Sequence, residues 1–524
     1  MLLPAAIVGA AGLLAQGPAF SQMNSISVGP RIGAPTMAPM RAPNINMNAG
    51  PRYSPGMSGH GGGHSSGGGG FATGLGIGLG VGIGTGIIMS TPPAGAQPVY
   101  QQPVQRQPKV RQDANRKSLS GKPPTNTNPV VRTPQPPAIP SLAGRPHVPN
   151  EVLVEFTGIA SQETIDDAAR RHGIGRLDAQ SFTLTNSTIV RFGIPDGRPI
   201  ETVLQQLQGD GAIQSFQANF RFVLSQSAMA NAPAYSATEG DPAQYVLSKL
   251  RLPLAHGLAR GDSVLVAVID SGVDTDHPEF NGVVAGKFDA LDADEPPHAH
   301  GTAIAGAIAA HSKLRGAAPG ARLLAIRAFG SSAKTAEGTT FGILKSLDWA
   351  VAQNARIINM SFAGPQDTAL ARALAAARAK GAILIAAAGN AGAKSPPLYP
   401  AADPNVIAVT ATDANDKLFG ASNRGDHIAV AAPGVDILLP APEANYQMST
   451  GTSFAAAHIS GVVALLLERK PALTQDNVRA ILVSTAKDLG PKGRDRDFGA
   501  GLADAYNAVE AAAGAVASSA AAKR

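Results

Sequence analysis

Gly451-Thr452-Ser453-Phe454-Ala455-Ala456-Ala457-His458, continued by small and apolar residues from Ile459 to Leu467, is the stretch from which the fold of this chain can be read. It is rich in good helix formers, so it predicts a largely buried helix with Ser453 in its first turn. There the unpaired backbone N–H groups and the helix dipole favour a developing negative charge. A hydroxyl so placed can act as a nucleophile, provided that a base takes its proton. Taken alone, Gly-Thr-Ser reads more simply as a helix cap.

Three other stretches supply what the hydroxyl lacks. Val264 to Ile269 is a short, β-branched apolar run of the kind that forms a fully buried strand, and it ends in Asp270-Ser271-Gly272. Asp270 therefore projects from the carboxyl end of a strand, where open α/β sheets keep their ligands. His300-Gly301-Thr302 opens a second helix of small residues, Ala303 to Ala310, and sets an imidazole at its start. Asn390 follows the apolar run 382–388 through Gly389. Singly these are a turn Asp, a helix-start His and a Gly-Asn turn. Together they form one ordered set at the right structural edges.

The order Asp, His, Ser, with its flanking text, resembles the subtilisin-like serine peptidases, or subtilases. The matching motifs are Val-Ile-Asp-Ser-Gly-Val-Asp (268–274), His-Gly-Thr (300–302), Asn-Met-Ser-Phe-Ala-Gly-Pro (359–365), Ala-Ala-Ala-Gly-Asn (386–390) and Gly-Thr-Ser (451–453). The resemblance covers about 246–510 and implies a serine endopeptidase working through an acyl-enzyme. Ser453 would be the nucleophile, His300 the base, Asp270 the group that orients it, and the Asn390 amide an oxyanion donor. It also implies that Ser361, Phe362, Ala363 and Gly364 pair with an extended substrate, and that Ala387, Ala388 and Gly389 line the primary specificity pocket.

Apolar strands alternating with amphipathic helices through this region independently predict an α/β fold, a mostly parallel sheet with helices on both faces. The runs are 263–269, 303–310, 321–327, 340–353, 356–360, 367–379, 382–388, 405–410, 428–431, 453–469 and 474–486. We place the peptidase domain at 246–512, with a frayed Ala/Ser/Lys tail at 513–524.

Upstream, the chain changes character. Residues 1–149 carry a net charge of +10 and the remainder −4, so the overall +6 belongs to the leading region. That region holds much of the chain's Gly and Pro, and cysteine is absent throughout. Residues 1–22 contain an export-like apolar core with a small-x-small site at Ala19-Phe20-Ser21, without the usual basic start. Residues 23–149 are Gly/Pro-rich and basic and are expected to be disordered. Within them 71–89 is uncharged, with Gly at every second position from Gly74 to Gly86; membrane contact and a flexible coil are both open readings. Export from the cytoplasm is expected, and nucleic acid is not an expected partner.

Order returns at 150–225. A strand at 151–156, a helix with Ser161 as N-cap, two short strands between Phe182 and Phe192, a helix at 200–207 and a strand region at 212–224 give a ferredoxin-like β-α-β-β-α-β order. Position before a subtilase-like domain implies a propeptide that inhibits and chaperones it. Residues 226–245 are expected to be an exposed connector and processing region.

Some positions depart from the family pattern. Ala457 stands where Pro is usual, Ala303 replaces a second His, and Ala363 replaces a Gly. The connector 310–317 is short and lacks the Asn-rich loop of the strong calcium site, so no metal or cofactor is expected beyond a weak structural calcium. Asp274, Asp276 and Glu279 read as surface charges, and His298 receives no role. Polypeptide substrates and a monomer are expected. The alternatives are an inactive subtilase-fold binding module and a surface-tethered protein that works through its leading region. A carboxyl-type serine peptidase would need Glu where His300 stands.

Overall fold

The computed structural model describes residues 141–225, 227–231, 243–293, 295–331 and 336–521. The expectations for 1–22, for the Gly/Pro-rich region up to residue 140 and for its 71–89 repeat lie outside them. All the described residues belong to one compact unit, Pro123–Arg524.

The first module is β1 (His147–Thr157), α1 (Gln162–His172), β2 (Gly175–Phe182), β3 (Ser187–Gly193), α2 (Ile200–Leu207) and β4 (Ser215–Leu224). Its strands lie in the order β2-β3-β1-β4, all antiparallel, which is ferredoxin-like. Ser161 caps α1 by accepting from Thr164 N at 3.1 Å, as its sequence predicts. The hairpin turns at Asn186 (φ +48°), but β2 lies upstream of the expected strand and only ends at Phe182. The cause is its composition: apart from Phe182 this outer strand offers only Leu177 and Ala179 among polar residues, both of them exposed, so it carries no strong apolar signal.

After β5 (Ser227–Asn231) come α3 (Tyr245–Lys249), α4 (Leu252–His256), β6 (Leu265–Asp270), β7 (Val284–Asp289) and α5 (Ala299–Ala309). The chain continues through β8 (Arg322–Arg327), β9 (Phe329–Ser331), β10 (Ala336–Thr339), α6 (Thr340–Ala352), β11 (Ile357–Met360), β12 (Phe362–Ala363), α7 (Thr368–Ala379) and β13 (Ile383–Ala387). It ends with β14 (Ile407–Thr412), β15 (Ile428–Pro433), β16 (Ile437–Ala441), β17 (Asn445–Thr450), α8 (Thr452–Arg469), α9 (Gln475–Thr485) and α10 (Ala505–Ala521).

Seven parallel strands form the central sheet in the order β15-β14-β13-β11-β6-β8-β7. Alternation along β6 shows why both faces are covered. Val266 and Val268 enter the core beneath α5 and α8, while Ala267 and Ile269 enter the opposite core beneath α6 and α7. That second core continues into the first module through Phe156, Phe182 and Phe222. Helix α8 is buried from Thr452 to Leu467, as expected for a helix that is apolar or small all round. Helix α10 runs to Ala521, so residues 513–521 of the tail expected to fray are helical; alanine has the highest helix propensity of any residue.

The end of β4 leaves its own module. Arg221, Phe222 and Val223 pair with Thr339, Gly338 and Glu337 of β10 on one side, and Val223 and Leu224 pair with Ala363 and Phe362 of β12 on the other. Beyond Leu224, β5 pairs antiparallel with β17. Ser225, the last residue of the 150–225 module, is buried. Among the described residues no helix is long and apolar enough to cross a membrane.

Candidate active site

Four elements deliver the site. Strand β6 ends on Asp270, α5 begins beside His300, β13 leads into Asn390, and α8 begins beside Ser453; Asp270, His300 and Ser453 are fully buried. His300 Nδ1 and Asp270 Oδ1 are 2.7 Å apart. The same oxygen accepts from Ser271 N at 2.7 Å and lies 3.2 Å from Ser271 Oγ. His300 Nε2 is buried and has no hydrogen-bond partner. Phe454 packs on the imidazole with ring centroids 5.6 Å apart, which helps to fix its plane.

Asn390 is oriented by Thr452, 62 positions further along the chain. Its Oδ1 accepts from Thr452 N at 3.1 Å and Thr452 Oγ1 at 2.8 Å, which leaves Nδ2 buried without a partner. A buried amide in that condition is a preorganised donor. The Ser453 hydroxyl donates to the carbonyl oxygen of Ser225, and lies 3.3 Å from Ser361 O. Ser453 N also points at Ser225 O, at 3.4 Å. The structure therefore brings Asp270 to His300 and Ser453 to a backbone carbonyl, with the His300 Nε2 valence open.

Ser361 O accepts from Ser225 N at 3.0 Å, so Ser361, Phe362 and Ala363 all pair with the strand that fills the cleft. Gly364 lies beneath the Phe222 ring: a Cβ there would come within 2.3 Å of Phe222 Cδ1. Ala363 does not block pairing, and Ala387 and Ala388 are fully buried. Gly389 has φ +104°, and a Cβ on it would lie 3.0 Å from Leu398 Cδ1.

Residues 261–501 match the sequence model of the peptidase S8 subtilase family. Thermitase of Thermoactinomyces vulgaris is 35% identical over 275 residues, which is 51% of this chain and 96% of thermitase. The chain belongs to the subtilase family. Subtilisin E of Bacillus subtilis (strain 168) is 37% identical over 258 residues, covering 47% of this chain and 66% of that protein. In fold, the subtilase also resembles fervidolysin of Fervidobacterium pennivorans, described as a keratinolytic enzyme related to subtilisin (TM-score 0.59, 24% identity, 70% of this chain and 61% of that one). It is a subtilisin-like serine endopeptidase, a hydrolase of polypeptides.

Several supporting residues of this subtilase escaped the sequence reading. His298, given no role there, caps α5: its Nδ1 accepts from His300 N at 3.2 Å and lies 3.0 Å from Ser271 Oγ. Burial holds its pKa below the ordinary imidazole value, which keeps that acceptor available. Ser460, Asn359 and Ser361 form a buried chain of hydrogen bonds ending on Ser453 O. Only the His298-x-His300 spacing hinted at any of this. Glu279 corrects the surface-charge reading. It is fully buried and accepts from the N–H groups of Ser312, Lys313 and Leu314, each at 2.8 Å, and from Tyr446 Oη at 2.9 Å. A carboxylate thus organises the short connector. Asp274 is half-buried and Asp276 exposed, and among the described residues no group of three or more acidic, His or Cys side chains could hold a metal.

Proposed function

We propose that this endopeptidase cuts peptide bonds through an acyl-enzyme formed on Ser453, and that residues 150–225 are its inhibitory propeptide. The observation that carries the reading is the fully buried Asp270–His300 pair at 2.7 Å, whose outer nitrogen has no partner beside the start of α8.

The Ser453 hydroxyl turns from the carbonyl it now faces toward His300 Nε2 and gives up its proton as Oγ attacks the substrate carbonyl carbon. Asp270 accepts from Nδ1–H, fixes the tautomer and stabilises the imidazolium. The oxyanion takes hydrogen bonds from Ser453 N–H and Asn390 Nδ2. Collapse of the tetrahedral intermediate expels the amine, which takes the proton from His300. Water, deprotonated by His300, then hydrolyses the ester and restores the hydroxyl. Ser361 to Gly364 hold the substrate as an added strand, and Ala387, Ala388 and Gly389 leave a slot for its side chain at the cut.

The propeptide reading is supported by the way β4 fills the cleft between β10 and β12. Export is supported by the apolar run in residues 1–22. We assign the enzyme no cofactor and a monomeric state. The test is a fluorophosphonate probe applied to the processed enzyme: Ser453 is labelled in the wild type and Ser453→Ala takes up none. Equal labelling of both, or none of either, rejects the mechanism.

A further inference from the structure

Polypeptide lying in the cleft has its register fixed at two points. Ser225 O receives the Ser453 hydroxyl and N–H, and Ser225 N donates to Ser361 O at 3.0 Å. Upstream, Phe222 is fully buried, edge-on to Phe362 at 5.9 Å and over the bare Cα of Gly364. The strand period of two turns Arg221 and Val223 to the opposite face, where Val223 is 43% exposed. Glu337 of β10 stands directly across from Val223 and so shares that face. Arg221 is its diagonal neighbour, a separation that a long side chain spans. Arg221 Nη1 lies 3.4 Å from Glu337 Oε2.

This face opens on a groove of about 750 Å³, lined on the peptidase side by Pro365, Pro396, Pro397, Leu398 and Tyr399. Among the described residues, its charged lining consists of Arg145, Arg221 and Glu337. Both cations belong to the chain up to Ser225; Arg145 lies over the Phe220 ring at 4.2 Å and donates to Gln366 O. The anion belongs to the peptidase domain. When another polypeptide takes the place of β4, Glu337 therefore faces the groove without either arginine. An apolar wall ending at a carboxylate suits the methylene stem and charged head of Lys or Arg. From this arrangement we infer that Glu337 is a specificity-determining residue. The enzyme selects polypeptides with Lys or Arg at the place of Arg221, four residues before the residue whose carbonyl is attacked. The inference rests on the acyl-enzyme reading above, with substrate added as a strand. Arg221 and Glu337 keep 39% and 38% of their side-chain surface exposed, so the pair is weak and screened by salt. The expected preference for a cation over a neutral side chain is about three- to fivefold.

The test uses active enzyme prepared from the full chain and counted by its fluorophosphonate label. A degenerate peptide library is digested, the new ends are sequenced, and every substrate is aligned on the bond cut. Lys and Arg should be enriched at the fourth residue before the one that supplies the attacked carbonyl. Next, kcat/KM is compared for two peptides that differ only by Arg or Gln at that position. Each ratio is taken within one enzyme, so a loss of folded protein cancels. It should be about three to five in the wild type, about one in Glu337→Gln and below one in Glu337→Lys. In about 1 M salt the wild-type ratio should also approach one. A wild-type ratio of one, a ratio that Glu337→Gln leaves unchanged, or a cation preference at the place of Val223 instead overturns the inference and leaves the peptidase reading standing. An enzyme that takes up no label and cuts no peptide overturns both.

Discussion

His458 lies on α8 five residues after Ser453, and its Nδ1–H donates to Pro433 O at 2.9 Å. Burial pushes its pKa down to about 4, because an imidazolium there would lose its hydration. The folded value is depressed, so the unfolded chain takes up a proton first as pH falls. Stability is full above about pH 6.5 and declines toward pH 4, where the folded state also binds the proton; the total loss is about 3 kcal/mol. Measured by urea unfolding in the Ser453→Ala background, His458→Gln should lessen the fall in stability between pH 7 and pH 4.5 by about 2–3 kcal/mol. Residue types at this scale were legible only where a motif surrounded them. Glu279 looked like a surface charge because its partners are backbone N–H groups, which have no signature in sequence.

At the scale of elements, catalysis depends on how helices begin. His298 caps α5 and touches Ser271, which itself contacts Asp270, so one side chain positions both members of the acid–imidazole pair. His298→Ala should lower kcat by about five- to tenfold with KM nearly unchanged, since the cap positions the base and does not touch substrate. Asn, which keeps a cap acceptor, should restore most of kcat; steady-state kinetics of the two variants would show it. An equal loss in both would refute a capping role. Most helices and strands of the central sheet were legible from apolar runs, but β7, Val-Ala-Gly-Lys-Phe-Asp, was not. Short β9 and β10 were missed too, because each is only three or four residues long and is a strand solely by pairing with its neighbours, whereas the edge at β12 was foreseen only through the resemblance.

For the whole molecule, the decisive contact is between β4 and the peptidase. Buried Glu155 receives the Arg372 guanidinium of α7 and the Ser215 hydroxyl at 2.6 Å, and Arg372 also reaches Ser215 Oγ at 2.8 Å. Gln217 bridges to Asp367, the N-cap of α7, at 2.9 Å. If residues 150–225 are the inhibitor proposed above, Arg372→Ala, which leaves Glu155 buried without its cation, should weaken their hold on the peptidase domain about 10- to 100-fold. Peptidase activity should then appear earlier than in the wild type; unchanged latency would rule out this ion pair as a clamp. Sequence by itself determined the layered α/β fold and the ferredoxin-like order of the first module, and it singled out the four side chains of the candidate site, because local periodicity and short motifs encode strands, helices and their ends. Tertiary structure alone decided which backbone carbonyl lies at Ser453, where Glu279 and His298 point, and which strands clasp β4. Those depend on register and on contacts that range from 27 positions apart for Ser271–His298 and 33 for Glu279–Ser312 to 228 for Ser225–Ser453, and no local pattern in the chain records them.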